Sequence, residues 1–184
     1  MAEDESARER ILVAAGELFA EAGFDATPTS RVAERAGVPK GLVHYYFRRK
    51  PDLLTALVPR LPDAAVDLDD VVVPGDVAAS LARLVAVLDA RIEASPLLSH
   101  LLWREADTHP DVRDALHERH RVLAGQVRAV IVAAAGPAAA DRDVDSAAAL
   151  VALAVSYRHS VARHNPDADR LMDRELAFVA SALG

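Results

Sequence analysis

Apolar residues return along this chain at the helical period almost everywhere. Ile11, Leu12, Ala15, Leu18, Phe19 and Ala22 recur every three or four positions with charges between them, which predicts an amphipathic first helix. Gly23 followed by Phe24 predicts its end, with a left-handed glycine and an apolar residue folding back on the last turn. Thr27 offers a hydroxyl to cap a second helix, and Pro28 suits its first position, where a missing N–H costs nothing. Val32, Ala33 and Ala36 give that helix a narrow apolar edge, and Gly37 ends it. A third helix is expected from Pro39 to near Phe47. A fourth starts near Pro51, with Asp52 favourably placed at the positive end of its dipole.

Residues 63–76, with the turn signal Pro74-Gly75, read as a loop or partly helical linker. Beyond them the pattern predicts helices over 76–95, 97–107, 110–135, 143–165 and 167–183, punctuated by Pro96, Pro110, Gly136-Pro137 and Asn165-Pro166. No alternating strand pattern competes, so the fold class is all-α. We expect a helix-turn-helix domain over residues 1–50 and a helical bundle over residues 51–184.

Within Gly37–Phe47, "GVPKGLVHYYF", the helical turn of about 100° per residue separates two faces. Val43, Tyr46 and Phe47 fall together and face the core. Gly41 and Tyr45 point the opposite way, flanked by Leu42 and His44. A glycine there costs about 1 kcal/mol of helix stability relative to alanine. What it permits is close approach of the backbone to something outside. Two short helices joined through a glycine match a helix-turn-helix unit, whose second helix can enter a DNA major groove. Lys40 would then reach a phosphate or a guanine edge, and His44 and Tyr45 phosphate oxygens. Lys50 would add charge where the fourth helix exposes free N–H groups.

Charge sharpens this picture. The chain of 184 residues has a formal net charge of −7, which by itself argues against nucleic acid. Between Ala26 and Arg60, however, seven Lys and Arg face two acids, and the acidic excess lies elsewhere. A basic block on an acidic chain is the footprint of a small electrostatic contact surface. There is no cysteine, which excludes disulfides and thiolate chemistry. The charged N-terminus lacks a secretory h-region, and no apolar run is long enough to span a bilayer. A cytoplasmic protein with no membrane partner is expected.

The stretch Thr27–Leu54, "TPTSRVAERAGVPKGLVHYYFRRKPDLL", resembles the DNA-binding domain of the TetR family of transcriptional regulators. With the first helix, the likeness covers roughly residues 6–58. It rests on the Ala36-Gly37-Val38 turn, the Lys40-Gly41 step, the Tyr46-Phe47 close and Lys50. The resemblance implies a homodimeric, ligand-responsive repressor with one recognition helix per half-site of a palindromic operator, and a C-terminal domain for a small effector. It implies DNA contacts at Thr27, Lys40, Gly41, Leu42, His44, Tyr45 and Lys50. Leu42 stands where the family usually has Ser or Thr, and His44-Tyr45 reverses a common Tyr-His pair. A leucine at position 42 exchanges a phosphate-binding hydroxyl for contact with a thymine methyl.

The C-terminal part is less explicit. "AAALVALAV", Ala147–Val155, is apolar all round and must be covered on more than one side. With the last helix, it suggests a dimer interface through Leu150, Leu153, Leu171, Leu176, Val179 and Leu183, by analogy with the family. His100, Trp103, Arg104, Tyr157 and Arg158 could supply polar groups to an apolar effector pocket. "HERH", His117–His120, is one residue short of a zinc-protease spacing, and the other histidines are scattered. No nucleophile–base pair appears. We therefore expect no enzyme, no metal and no cofactor, with a helical-bundle enzyme or an all-α interaction module as the competing readings.

Overall fold

The computed structural model describes residues 2–61, 65–92, 96–161 and 168–183. Among them there is no strand. The helices are α1 (Ala2–Ala22), α2 (Thr29–Ala36), α3 (Lys40–Tyr46), α4 (Lys50–Leu57), α5 (Leu68–Val71), α6 (Val77–Ile92), α7 (Pro96–Glu105), α8 (Pro110–Ala135), α9 (Val144–Val161) and α10 (Ala168–Leu183). Short 3₁₀ turns follow α4 at Val58–Arg60 and α8 at Gly136–Asp141. The all-α expectation holds. The linker read over 63–76 contains one helical turn, α5, capped by the Asp67 carboxylate at the Asp69 N–H.

The chain forms two compact units. The first comprises residues 1–61 and 97–116, the second residues 62–96 and 117–184. In the first unit α1 packs against α2, α3 and α4. Its core joins Leu18, Phe19, Val32, Val43, Leu53 and Leu54 to Leu101 and Leu102 from α7. Burying side chains of this kind is worth about 1.5–3 kcal/mol each. In the second unit α10 packs on α6 and α9. The inward row Met172, Leu176, Val179 and Leu183 meets Leu84, Val151 and Val155 there.

Several boundaries follow from local chemistry. Gly23 is left-handed (φ 84°), its N–H donates to the Phe19 carbonyl at 2.9 Å, and Phe24 folds back with its ring 5.2 Å from that of Phe19. Gly37 (φ 65°) closes α2 by donating to the Ala33 and Glu34 carbonyls. The α2 start differs from expectation. Thr27 does not cap it, and Pro28 takes the cap position in extended geometry instead of the first helical one. The Thr27 hydroxyl points back to α1, donating to the Gly23 carbonyl at 2.8 Å and the Leu18 carbonyl at 3.3 Å. The Gly23 carbonyl lies just past the end of α1, where it has no helical partner and is open to the hydroxyl. At α4 the Asp52 carboxylate accepts from the Arg49 N–H at 2.9 Å, as the first-turn acid predicts.

Candidate nucleic-acid interface

Helix α3 is only seven residues long, so its orientation depends on what holds its buried side. Val43 is fully buried and Phe47 nearly so, while Tyr46 is half-buried against the same core. Phe47 leaves the helix in extended geometry, and its N–H still donates to the Val43 carbonyl at 2.9 Å. On the opposite side Lys40, Gly41, His44 and Tyr45 are exposed and Leu42 is half-buried. Tyr45 keeps 72% of its surface in solvent, against 0% for Val43 two residues earlier. That contrast is the separation of faces the helical period predicts.

Gly41 has open space where a side chain would stand: a Cβ built there meets nothing within 4 Å. Nothing inside the unit therefore requires glycine at this position. The face it thins carries a ring (Tyr45), an imidazole (His44) and an ammonium (Lys40), the groups that bond phosphate oxygens and base edges. Thr29 Oγ1 at the start of α2 lies 3.5 Å from His44 Nε2 and steadies that ring.

Side chains from α1 fix α2 beneath this face. Arg10 donates from Nε to the Ala36 carbonyl at 3.2 Å, at the entry to the Gly37 turn. Arg35 bridges Glu17 at 3.1 Å and Glu21 at 3.2 Å. The hydrogen bond from Arg35 lowers the Glu21 pKa below the ordinary carboxylate value, and Glu21 in turn raises that of Arg35.

Two of the residues expected at DNA have partners within the unit. Thr27 is fully buried, with its hydroxyl occupied as described. Lys50 is half-buried, its ammonium 4.2 Å from the centre of the Phe24 ring and 3.2 Å from the Asp25 carbonyl. Neighbouring Arg49 pairs with Asp52 at 3.0 Å and Asp111 at 3.3 Å. Sequence spacing gave no sign of the Lys50–Asp25 and Arg49–Asp111 contacts, because these partners lie 25 and 62 residues away.

The residues suggested for an effector site divide between the units: His100, Trp103 and Arg104 on α7 in the first, Tyr157 and Arg158 on α9 in the second. Arg104 bridges Glu105 at 3.0 Å. Arg158 bridges Asp89 of α6 at 2.9 Å, both side chains largely buried. His120 Nδ1 lies 3.1 Å from Ser156 Oγ, also within the second unit. Of the suggested dimer residues, Leu150 and Leu153 are exposed at 57% and 56%, whereas Leu176, Val179 and Leu183 are buried in their own unit's core. The Leu171 side chain lies outside the described residues. Phe178, which the periodicity did not single out, is 73% exposed beside an apolar groove of about 430 Å³ lined by Leu150, Ala154, Met172 and Leu176. Among the described residues no three His, Asp or Glu side chains are grouped to hold a metal ion. No described helix is long and apolar enough to cross a membrane.

Residues 11–57 match the family described as bacterial regulatory proteins, tetR family. Over 48 residues the chain is 40% identical to the fatty acid metabolism regulator protein of Bacillus subtilis. That match covers 26% of this chain and spans about a quarter (25%) of the curated relative's length. Solved structures extend the likeness of fold to nearly the whole chain. A transcriptional regulator from Rhodococcus sp. Rha1 aligns with a TM-score of 0.70 at 20% identity, covering 94% of this chain and 95% of that one. A protein of Mesorhizobium loti, described as a TetR-family transcriptional regulator, aligns with a TM-score of 0.71 at 18% identity, covering 98% and 96%.

Proposed function

We propose that the chain, whose residues 11–57 match the tetR family of bacterial regulatory proteins, is a cytoplasmic, homodimeric repressor that a small-molecule effector releases from a palindromic operator. It acts by binding and not by catalysis. Residues 1–50 supply the face that reads the DNA, and the second unit, within residues 51–184, holds the effector and the partner subunit.

The observation that carries this reading is the outer face of α3. Lys40, Gly41, Leu42, His44 and Tyr45 enter the major groove, with Gly41 letting the helix axis approach the base edges. Leu42 contacts a thymine methyl, and most of the remaining contacts position the protein on the backbone without reading sequence. Thr27 acts one layer behind, holding the turn before α2, and Lys50 adds its charge at the start of α4.

A second copy of the chain covers the side of α9 and α10 that carries Leu150, Leu153 and Phe178. Exposed Leu150 and Phe178 line one apolar groove and Leu153 is exposed on the same helix as Leu150, which is the kind of surface a self-complementary two-fold interface offers. Effector binding in the second unit, where Asp89–Arg158 and His120–Ser156 are partly buried polar pairs, shifts the population between states that bind the operator well and poorly.

Selection from random duplexes, followed by titration of the winner across a salt series, tests the reading. A two-fold symmetric site and a log–log salt slope of about −0.9 for each neutralised phosphate are expected. Flat binding that is indifferent to sequence and salt would refute it.

A further inference from the structure

Residues 65–76 cross the second unit as a strap tied at both ends to α6 and α8. At its start the Ala65 carbonyl accepts from Arg91 Nη1 of α6 at 2.7 Å, and the Val66 carbonyl from Gln126 Nε2 of α8 at 2.6 Å. At its end Ser80 Oγ of α6 accepts from the Val73 N–H at 2.8 Å and donates to the Asp76 carbonyl at 2.7 Å. The Gly75 N–H donates to the Ala134 carbonyl of α8 at 2.8 Å. Between these ties Val66 and Val71 are buried in the core they share with Leu84, Leu88, Leu123 and Val127, while Asp67, Asp69 and Asp70 are exposed.

The two ends are held unequally. Ser80 is fully buried and, with Gly75, fixes the later end through backbone groups. The earlier end hangs on two side chains, and the Arg91–Ala65 bond is exposed. The regular structure between them is α5, four residues long and too short to be stable by itself. An element of this kind opens locally at a lower cost than unfolding the unit. We infer that residues 65–72 are a displaceable plug of the effector site, between α6 and α8, and that the molecule taking their place is a small apolar acid. The apolar body follows from the slot that Val66 and Val71 would vacate among Leu84, Leu88, Leu123 and Val127. The acid follows from the donors. When the plug leaves, the Arg91 guanidinium and the Gln126 amide lose the carbonyls they serve, and an oxyanion replaces both acceptors. Asp67, Asp69 and Asp70 leave with the plug, which takes their negative charge away from the incoming anion.

The inference rests on the reading of the second unit as the effector's seat, and measurements without DNA make it separable. Anilinonaphthalene sulfonate, an apolar ring system with an anionic oxygen group, is titrated into the full chain beside neutral phenylnaphthylamine, which has the rings without the acid. Hydrogen exchange of the amides of residues 69–72 is followed with and without saturating sulfonate. Exchange there should rise on binding, with no rise in α6 or α8, because the plug has left its slot. Val66→Ala weakens the competing plug and should tighten both probes by about threefold to tenfold. Arg91→Met should reduce the preference for the sulfonate over the neutral probe by about threefold to tenfold. Strap amides that slow or stay unchanged at saturation, or equal affinities in wild type and Val66→Ala, overturn the plug. An unaltered preference in Arg91→Met overturns the acid. Should Val66→Ala fold poorly, the wild-type exchange decides alone. A probe that displaces the plug yet leaves operator binding unchanged upholds the inference and removes effector control from the functional reading.

Discussion

Thr27 donates its hydroxyl to the carbonyl of Gly23 at 2.8 Å, across the turn that ends α1, while its side chain is fully buried. A threonine that the helix pattern places at the DNA-facing start of α2 thus acts on the preceding helix. Thr27→Val keeps the shape and leaves the Gly23 and Leu18 carbonyls without this donor. It should lower unfolding stability by about 1–3 kcal/mol in urea titration. Operator affinity, measured well below the unfolding midpoint, should remain within a factor of about two, since the lost bond lies behind the contact face. A variant as stable as wild type but unable to bind would return Thr27 to the DNA.

Gly41 makes the opposite kind of claim. Its Cβ position is open, so Gly41→Ala should stabilise the free protein by about 0.5–1 kcal/mol through helix propensity. The same substitution thickens the face toward the groove and should weaken operator binding, and Gly41→Leu should abolish it. Gly125 is the control, an exposed mid-helix glycine of α8 that also has nothing within 4 Å. Gly125→Ala should give a similar gain in stability with unchanged binding. Gly41→Ala binding as well as wild type would remove Gly41 from the interface.

On α10, Leu176 and Phe178 separate packing within the chain from packing between copies. Leu176 is buried, and Leu176→Ala should cost about 2–5 kcal/mol of stability by opening a cavity. Phe178 is exposed, and Phe178→Glu should leave the helical content intact while shifting the species seen by sedimentation from dimer to monomer. A dimer of unchanged strength in Phe178→Glu would place the interface elsewhere.

Glu21 carries a pH prediction. Its carboxyl is held below the ordinary range, first by the hydrogen bond from Arg35 and further by the charges of Arg35 and Arg31. A lowered folded-state pKa contributes stability that is fully present above the unfolded carboxylate value and lost as pH falls through the folded one. Stability should therefore decline on the acid side, below the ordinary glutamate range near ~4.3. Arg35→Met should move the Glu21 titration upward, as read by carbon NMR of its carboxyl. Because the pair is exposed, the thermal midpoint at neutral pH should barely change. An unmoved Glu21 titration in Arg35→Met would contradict the assignment.

Much of this was legible from local order. The helices, the glycine turns at positions 23 and 37, the first-turn acid at Asp52 and the two faces of α3 all follow from periods and caps that span a few residues. What stayed hidden depended on distant partners. Thr27 has a capping residue's chemistry, and only the position of the α1 end shows that its hydroxyl is engaged there. The contacts of Lys50 with the Phe24 ring and the Asp25 carbonyl were hidden in the same way. In α10 the periodic row of apolar residues correctly marks one packed face, but periodicity does not say that the face meets its own chain. The isolated Phe178, off that row, is the side chain left outside.

The first unit is discontinuous, since residues 97–116 return to complete it and supply Leu101, Leu102, Ala106, Val112 and Leu116 to its core. During synthesis, α1 to α4 emerge well before those side chains exist. They must wait, with part of their apolar surface uncovered, until α7 and the start of α8 have left the ribosome. The N-terminal head is therefore not a detachable reading device that finishes folding first. Its completion is timed by a segment encoded some fifty residues downstream, and a chain interrupted before residue 116 leaves the head with an open core.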